Sequence, residues 1–146
     1  MKTSLQAGIA ASREFPIDAS RTIDFMGEDA RVYATPMLVR DIEVTCRDLL
    51  LQHLDAGEDS VGTRVEIDHL AATLLGMKVT ISATLAELKG RAAVFEVSAT
   101  DGVDTICRGR HTRFIANVEQ VKQRLKQTEE RLAAKAKKAR EQAKLA

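Results

Sequence analysis

Hydrophobic and polar positions follow two different periods along the chain. From about Pro36 to Leu54 the apolar residues recur every three to four positions, which predicts one long amphipathic helix. Thr35 before Pro36 is typical of a helix start, because Thr accepts a hydrogen bond from a free backbone amide and Pro gives up a donor that would be unpaired. Gly57 follows as a left-handed cap. The pattern therefore predicts a single long helix near the middle of the chain.

After this helix the period changes to two, which predicts consecutive β-strands. The predicted strands are 61–69, 77–85, 91–100 and 104–116, after a shorter one at 22–26, with turns at Lys89-Gly90 and Asp101-Gly102. In the strand 61–69, the odd positions are predicted to face one side, and these are Val61, Thr63, Val65, Ile67 and His69. The order indicates an α+β fold in which an antiparallel sheet wraps around the helix. The uncovered outer face of such a sheet predicts dimerisation.

The composition places this fold in a single small domain. The chain has 146 residues and 16.0 kDa, 45% of its residues are hydrophobic, and it has no Trp, so the core must consist mainly of Leu, Val, Ile and Ala. It lacks an apolar run of the roughly 18 to 20 residues that span a bilayer, and its start lacks the apolar block of a secretory signal. We therefore expect a cytoplasmic protein.

The two cysteines, Cys46 and Cys107, lie far apart and have no metal-ligand spacing. We therefore expect two reduced, buried thiols and no disulfide. The sequence contains no metal motif, and we expect neither a metal nor another cofactor.

Charge divides the chain into an acidic body and a basic end. Residues 119–146 hold nine of the 22 Lys and Arg but only four of the 21 Asp and Glu. They predict a C-terminal helix whose first turns pack on the body and whose end, from about Ala133, is solvated. This segment has no aromatic residue to stack on bases and carries glutamates among its lysines, so we expect neither nucleic acid nor a membrane as partner. The predicted division is an N-terminal segment 1–20, a domain 21–118 and the basic helix 119–146.

Three polar residues stand out on predicted apolar faces or at a helix start. Glu43 lies at the edge of the apolar arc of the helix, and a carboxylate held there loses hydration and becomes a better base or nucleophile. The alternative is an ion pair with Arg47 or Arg40. The other carboxylates of the helix, Asp41 and Asp48, are predicted to point away from this arc. His69 ends a strand on its apolar side, where a packing role is the alternative to chemistry. Thr35 is either an N-cap or a hydroxyl beside free amides, about 12 Å along the helix from Glu43.

Five segments in order carry a family resemblance. They are residues 34–37 with Glu43, residues 61–63, residues 69–73, residues 76–79 and residues 109–113. Over about Arg21 to Arg124 the chain resembles the hot-dog-fold thioesterases of the fluoroacetyl-CoA thioesterase type. The resemblance implies a hot-dog fold, a homodimer that could pair into a tetramer, and an acyl-CoA substrate.

The resemblance also implies a set of functional residues. Thr35, Glu43 and His69 would form the catalytic set, with Gly62 lining the site and Arg113 near it. Glu43 would attack the thioester or activate water, His69 would act as acid or base, and Thr35 would donate to the carbonyl oxygen. Residues 27–32 contain no Phe or Trp, unlike the segment that closes the pocket of the founding member. A short- to medium-chain acyl group is therefore expected, rather than a fluorinated one.

These observations leave two main functions open. The first is hydrolysis of an acyl-CoA to the free acid and CoA. The second is a non-catalytic hot-dog dimer that binds an acyl-CoA or a related hydrophobic carboxylate. A pure binder has no need to bury both an acid and a histidine, so the combination of Thr35, Glu43 and His69 favours hydrolysis.

Overall fold

A computed structural model describes residues 1–145, and Ala146 lies outside the described residues. The seven strands are β1 (Ala10–Pro16), β2 (Thr22–Ile23), β3 (Val32–Tyr33), β4 (Glu58–His69), β5 (Lys78–Lys89), β6 (Ala92–Thr100) and β7 (Thr105–Asn117). The helices are α1 (Thr35–Leu51) and α2 (Val118–Leu145), and short 3-10 turns lie at Ala19–Arg21 and Glu28–Ala30.

Five of the strands form one antiparallel sheet in the order β1-β5-β6-β7-β4. The central strands β5, β6 and β7 are joined by tight turns at Gly90 and Gly102, both with positive φ as predicted for these turns. Strands β4 and β7 approach very closely at Gly109, where a Cβ would lie 2.1 Å from the backbone oxygen of Glu66. Only glycine fits at this position without separating the two strands.

Helix α1 packs on one face of this sheet and forms the core with it. Its buried side includes Leu38, Ile42, Cys46, Leu49 and Leu50. The facing strands contribute alternate residues, which are Val79, Ile81, Ala83 and Leu85 from β5, and Ala93, Phe95, Val97 and Ala99 from β6. The predicted arrangement of a sheet around one long helix is therefore confirmed. Both cysteines are buried and free, as expected.

The start of α1 differs from the prediction. The N-cap residue is Ala34, and Thr35 is the first residue of the helix, with Pro36 next to it. The Thr35 side chain makes no capping hydrogen bond, because its hydroxyl is within hydrogen-bonding distance of a side chain of β4 instead. The helix also ends at Leu51, earlier than the predicted Leu54, and Gly57 lies in the following turn.

A β-bulge in β4 reverses the predicted facing of its first half. The register with β7 shifts between Gly62 and Arg64, so Ser60 and Gly62 face the helix, whereas the side chain of Val61 is 53% exposed. After the bulge, the predicted face is correct for Val65, Ile67 and His69. The bulge brings the backbone of Gly62 against α1.

Strand β1 was not predicted from the sequence, and residues 1–20 were expected to form a separate segment. The strand pairs with β5 at one edge of the sheet, from Ala10 opposite Thr84 to Pro16 opposite Lys78. The side of the strand that faces the core contains Arg13 between Ala11 and Phe15. This charge interrupts the alternation of apolar and polar residues that would have predicted a strand. The predicted strand at 22–26 shortens to the two residues of β2, which pair with β3.

Helix α2 borders the sheet only over its first two turns, where Val121 and Leu125 line a groove with Val61 and Phe114. The amide of Val118 donates to the carbonyl of Gly57, and no residue of α2 is buried among those described. In residues 1–145, no helix has the length and apolar character needed to cross a membrane. The outer face of the sheet is polar, with Ser82, Glu96 and Arg110 among its residues, so the expected dimer does not follow from an apolar outer face.

Candidate active site

The start of α1 and the end of β4 bring two of the predicted residues together. Thr35 Oγ1 lies 2.8 Å from His69 Nδ1, within hydrogen-bonding distance. His69 reaches this position because the strand after the bulge directs it toward the helix side. The hydroxyl of Thr35 is exposed at the helix start, where free backbone amides carry a partial positive charge.

The other ring nitrogen of His69 has no partner in the chain. Nε2 is the only buried side-chain nitrogen or oxygen of residues 1–145 that lacks a hydrogen bond. Burial lowers the pKa of His69 below its ordinary value of 6.5, so the ring is neutral at pH 7. A neutral ring with a buried, unpaired Nε2 is poised to take up or give a proton, and a group this expensive to bury needs a partner from outside the chain.

A pocket of about 320 Å³ lies beside this pair. Its walls are mostly apolar, and its lining residues are Ile23, Val32, Tyr33, Thr35, His69, Leu70, Ala71 and Ala72. Tyr33 is buried and meets the ring of His69 edge-on, with the ring centres 6.3 Å apart. Phe25, which the sequence places near this segment, is 83% exposed and closes no part of the pocket.

Glu43 lies eight residues further along α1 and faces the bulge of β4. A Cβ added to Gly62 would lie 2.7 Å from Oε1 of Glu43, so the carboxylate rests against the glycine backbone. Glu43 is half-buried and has no ion pair within residues 1–145. Arg47, considered as its partner, instead holds Asp59 with hydrogen bonds of 2.9 and 2.7 Å. The ion-pair alternative with Arg47 is therefore wrong.

Arg113 is buried behind Glu43, and β7 places it opposite Gly62. Its guanidinium donates to Ser60 Oγ at 2.7 Å and to the backbone oxygen of Ser60 at 2.8 Å. A third bond of 3.1 Å joins it to Nε2 of His111. All three acceptors are neutral. Burial lowers the pKa of Arg113, and among nearby charges the Glu43 carboxylate opposes this most strongly.

His111 and Ser60 also belong to this cluster, although no role was predicted for either from the sequence. His111 is fully buried, and its Nδ1 lies 2.8 Å from the backbone oxygen of Arg64. That carbonyl can only accept, so Nδ1 carries the proton and Nε2 accepts from Arg113. The signal in the sequence was the alternation in β7, which places His111 and Arg113 on the same inward face.

The five predicted residues thus fall into two groups in one chain. Thr35 and His69 form one group, and Glu43, Gly62 and Arg113 form the other. Eight residues of α1 separate Thr35 from Glu43, which is about 12 Å along the helix axis. This distance is too long for the two groups of one chain to contact the same carbonyl group.

Comparisons with known proteins agree with this architecture. A sequence model described as the fluoroacetyl-CoA-specific thioesterase matches residues 17–119. The chain belongs to this family of thioesterases. The fluoroacetyl-CoA thioesterase of Streptantibioticus cattleyicolor is 31% identical over 134 residues, which cover 87% of this chain and 96% of that protein. As a family member, the protein is a hydrolase that acts on thioesters.

Two solved structures place the family fold on this chain. A mutant of the fluoroacetyl-CoA-specific thioesterase FlK, in complex with fluoroacetate and CoA, is 31% identical, with a TM-score of 0.74 over 80% of this chain and 99% of that one. A hot-dog-like protein from Thermanaerovibrio acidaminovorans is 21% identical, with a TM-score of 0.77 over 84% and 91%. The fold is the hot-dog fold that the resemblance implied.

Proposed function

We propose that the protein hydrolyses short- to medium-chain acyl-CoA thioesters to the free acid and CoA, using Thr35, Glu43 and His69. The observation that carries this proposal is the buried, unpaired Nε2 of His69, held next to the hydroxyl of Thr35. Thioester hydrolysis needs such a proton carrier, because the leaving thiolate must be protonated. The family relationship supports an acyl-CoA as the substrate.

Thr35 and His69 serve the carbonyl oxygen and the leaving group in this proposal. The Thr35 hydroxyl lies at the positive end of α1 and donates to the oxyanion that forms when the carbonyl carbon is attacked. With the Thr35 hydroxyl donating to the oxyanion, Nδ1 of the neutral His69 ring donates to Thr35 Oγ1 and Nε2 carries the lone pair. Nε2 first takes up a proton from solvent and then gives it to the CoA sulfur as the carbon–sulfur bond breaks, which returns the ring to its neutral form. The mostly apolar pocket beside them takes the acyl chain. Its mostly apolar lining suits the hydrocarbon part of an acyl group.

Thr35 and Glu43 of one chain lie about 12 Å apart along α1, too far to act on one carbonyl group, so in this proposal the thioester held by Thr35 and His69 of one copy is attacked with the help of Glu43 from the second copy of the dimer proposed below. Glu43 supplies the attacking group in either of two ways. As a general base it takes a proton from water while the water oxygen bonds to the carbonyl carbon. As a nucleophile it forms an acyl-glutamyl anhydride and releases CoA, and water then cleaves the anhydride to regenerate the carboxylate. Both routes need a carboxylate with a free oxygen, and Glu43 has no ion pair within the described chain.

Gly62 and Arg113 shape the surroundings of that carboxylate. Gly62 leaves room for it, because a side chain there would occupy the position of Oε1. The Arg113 guanidinium brings a buried positive charge whose hydrogen bonds all go to neutral acceptors. The chemistry uses only these side chains and water, so we expect chelators to leave the rate unchanged.

We also propose that the protein works as a homodimer. Strand β4 forms one edge of the sheet, and its 12 residues present unpaired backbone groups to solvent. A second copy can pair its own β4 along this edge in the antiparallel direction, which continues the sheet and covers Val61. Light scattering of the eluted protein should give twice the chain mass, and a tetramer would show that such dimers pair.

The experiment that tests the function is thiol release from a panel of acyl-CoAs. The panel runs from acetyl to octanoyl and includes phenylacetyl-CoA, malonyl-CoA and fluoroacetyl-CoA. We expect turnover to be highest for an unsubstituted chain of short to medium length. If no thioester is cleaved and an acyl-CoA only raises the melting temperature, the non-catalytic binding function replaces this proposal.

A further inference from the structure

We propose that Asp41 is a positioning residue that acts through Tyr33 to fix the ring of His69 beside Thr35. This inference rests on the proposed function, because it concerns how the proton carrier of that function is held. It assigns a role to a buried charged group that the helical periodicity placed on the outside of α1.

The Asp41 carboxylate is almost completely buried, with its side chain 1% exposed. Its Oδ2 accepts a hydrogen bond of 2.6 Å from the phenol of Tyr33 and one of 2.9 Å from Nε of Arg21. Its Oδ1 accepts a longer bond of 3.3 Å from Nη2 of Arg21. The carboxylate is thus fully engaged, and two of its bonds come from a cation that is itself largely covered.

Tyr33 connects this ion pair to the active-site pocket. Its hydroxyl donates to Asp41, and its ring meets the ring of His69 edge-on. Burial and hydrogen bonding raise the pKa of Tyr33 far above its ordinary value, so the phenol remains a donor at every working pH. A ring anchored at its hydroxyl has one orientation, so the His69 ring packs against a surface that does not move.

The same network holds the backbone around Thr35. Arg21 accepts a hydrogen bond of 2.8 Å at its backbone oxygen from the amide of Ala34, the residue before Thr35. The amide of Tyr33 donates to the oxygen of Thr73 at 2.9 Å. Arg21 therefore holds the segment before α1 in two ways: its side chain bonds to Asp41, and its backbone oxygen accepts from Ala34.

Stability alone does not explain a buried charge at this place. The desolvation cost of burying an ion pair often exceeds the attraction between its two charges. Apolar residues of similar volume therefore stabilise a core as well or better. A placed hydrogen-bond acceptor, however, can orient a ring in a way that an apolar residue cannot. Small displacements of a catalytic group lower rates severely, which gives such an anchor a function.

The test compares two variants of the network with a control of the same helix. Tyr33→Phe keeps the ring and removes its hydroxyl, and Asp41→Leu keeps a similar side-chain volume and removes the acceptor. The control is Leu49→Ala, which removes buried core volume from α1 far from Thr35. For each protein we would measure the melting temperature, kcat and KM for the best acyl-CoA, and the 15N spectrum of the His69 ring, assigned with His69→Gln.

We expect kcat to fall by about 5- to 50-fold in Tyr33→Phe and Asp41→Leu, with KM within about twofold of wild type. The two ring nitrogens of His69 should give the separate signals of one tautomer in wild type and averaged signals in both variants. Leu49→Ala should lower the melting temperature and leave kcat and the spectrum unchanged.

The proposal is overturned if the network variants behave like Leu49→Ala. Should Asp41→Leu fail to fold, Tyr33→Phe decides, because it removes only one oxygen. If the wild-type protein cleaves no thioester, the proposed function fails, but the ring spectra still decide whether Tyr33 and Asp41 fix His69.

Discussion

Thr35 and His69 are joined by a hydrogen bond of 2.8 Å, although 34 residues separate them in sequence. The bond links the first residue of α1 to the last residue of β4, so the hydroxyl is not available to cap the helix. Thr35 therefore has a chemical role that can be separated from a structural one.

Replacing Thr35 by Val should lower activity without lowering stability. The loss of an oxyanion donor and of the His69 contact predicts a decrease in kcat of about 100-fold. Loss of an N-cap would instead cost about 1 kcal/mol of stability with less effect on the rate. Urea unfolding and thiol release on the same samples distinguish these results. Thr35→Ser retains the hydroxyl and should remain within about tenfold of wild type.

A methyl group added at Gly62 should lower activity more than stability, whereas one added at Gly109 should mainly lower stability. Gly62→Ala displaces the flexible end of Glu43 and places its Cβ 3.1 Å from the buried ring of His111, so we expect about a 10- to 100-fold loss of kcat with a smaller loss of stability than in Gly109→Ala. Gly109→Ala places its Cβ 2.1 Å from the backbone of β4 and should cost about 3 kcal/mol or more of stability. Equal loss of stability in the two variants would argue against the described position of Glu43.

The free energy of unfolding should fall as the pH is lowered from 7.5 to 5.5. Burial lowers the pKa of both His69 and His111 in the folded protein. Between these lowered values and the ordinary value near 6.5, the unfolded chain binds more protons, so stability rises with pH in this window. The carboxyl of Asp59, whose pKa is lowered by its hydrogen bonds to Arg47, acts only at more acidic pH.

Urea denaturation at a series of pH values measures this dependence. His111→Gln removes one of the two titrating groups and should flatten the curve between pH 7.5 and 5.5. A wild-type curve that is already flat in this range would contradict the burial of both rings.

Removing residues 133–146 should leave the folded body intact. The described part of this segment buries no side chain, and α2 is tied to the body near Val118. We expect the melting temperature to remain within about 2 °C and kcat to be unchanged. Differential scanning fluorimetry and thiol release on the truncated protein check both expectations. A large loss of activity would show that α2 takes part in the site or in the dimer.

The period of the apolar residues was enough to predict α1, strands β5 to β7 and their turns. Each of these elements buries a regular face, and Val79 to Leu85 alternate without interruption. The facing of Val61 could not be predicted, because one extra residue in β4 reverses a period of two, and no local signal marks the bulge. Strand β1 was missed because Arg13 lies on its inward side.

The candidate site was predicted in part for a related reason. Glu43 and His69 interrupt apolar faces, and this made them visible in the sequence. Asp41 was placed on the outside of α1 because its partners, Arg21 and Tyr33, come from segments without a periodic pattern. Thr35 followed a local rule for helix starts, and a tertiary hydrogen bond overrode that rule. Contacts with distant segments therefore explain the positions of both Asp41 and Thr35.

The central claim is that Glu43 supplies the attacking carboxylate, and one measurement tests it most directly. Thiol release is followed for wild type and Glu43→Gln with the acyl-CoA that the wild-type protein cleaves best, after circular dichroism has shown that both are folded. The substitution keeps the size of the side chain and removes its ability to act as base or nucleophile, so kcat should fall by about 1,000-fold or more. A folded Glu43→Gln protein that retains a kcat within tenfold of wild type would contradict the claim.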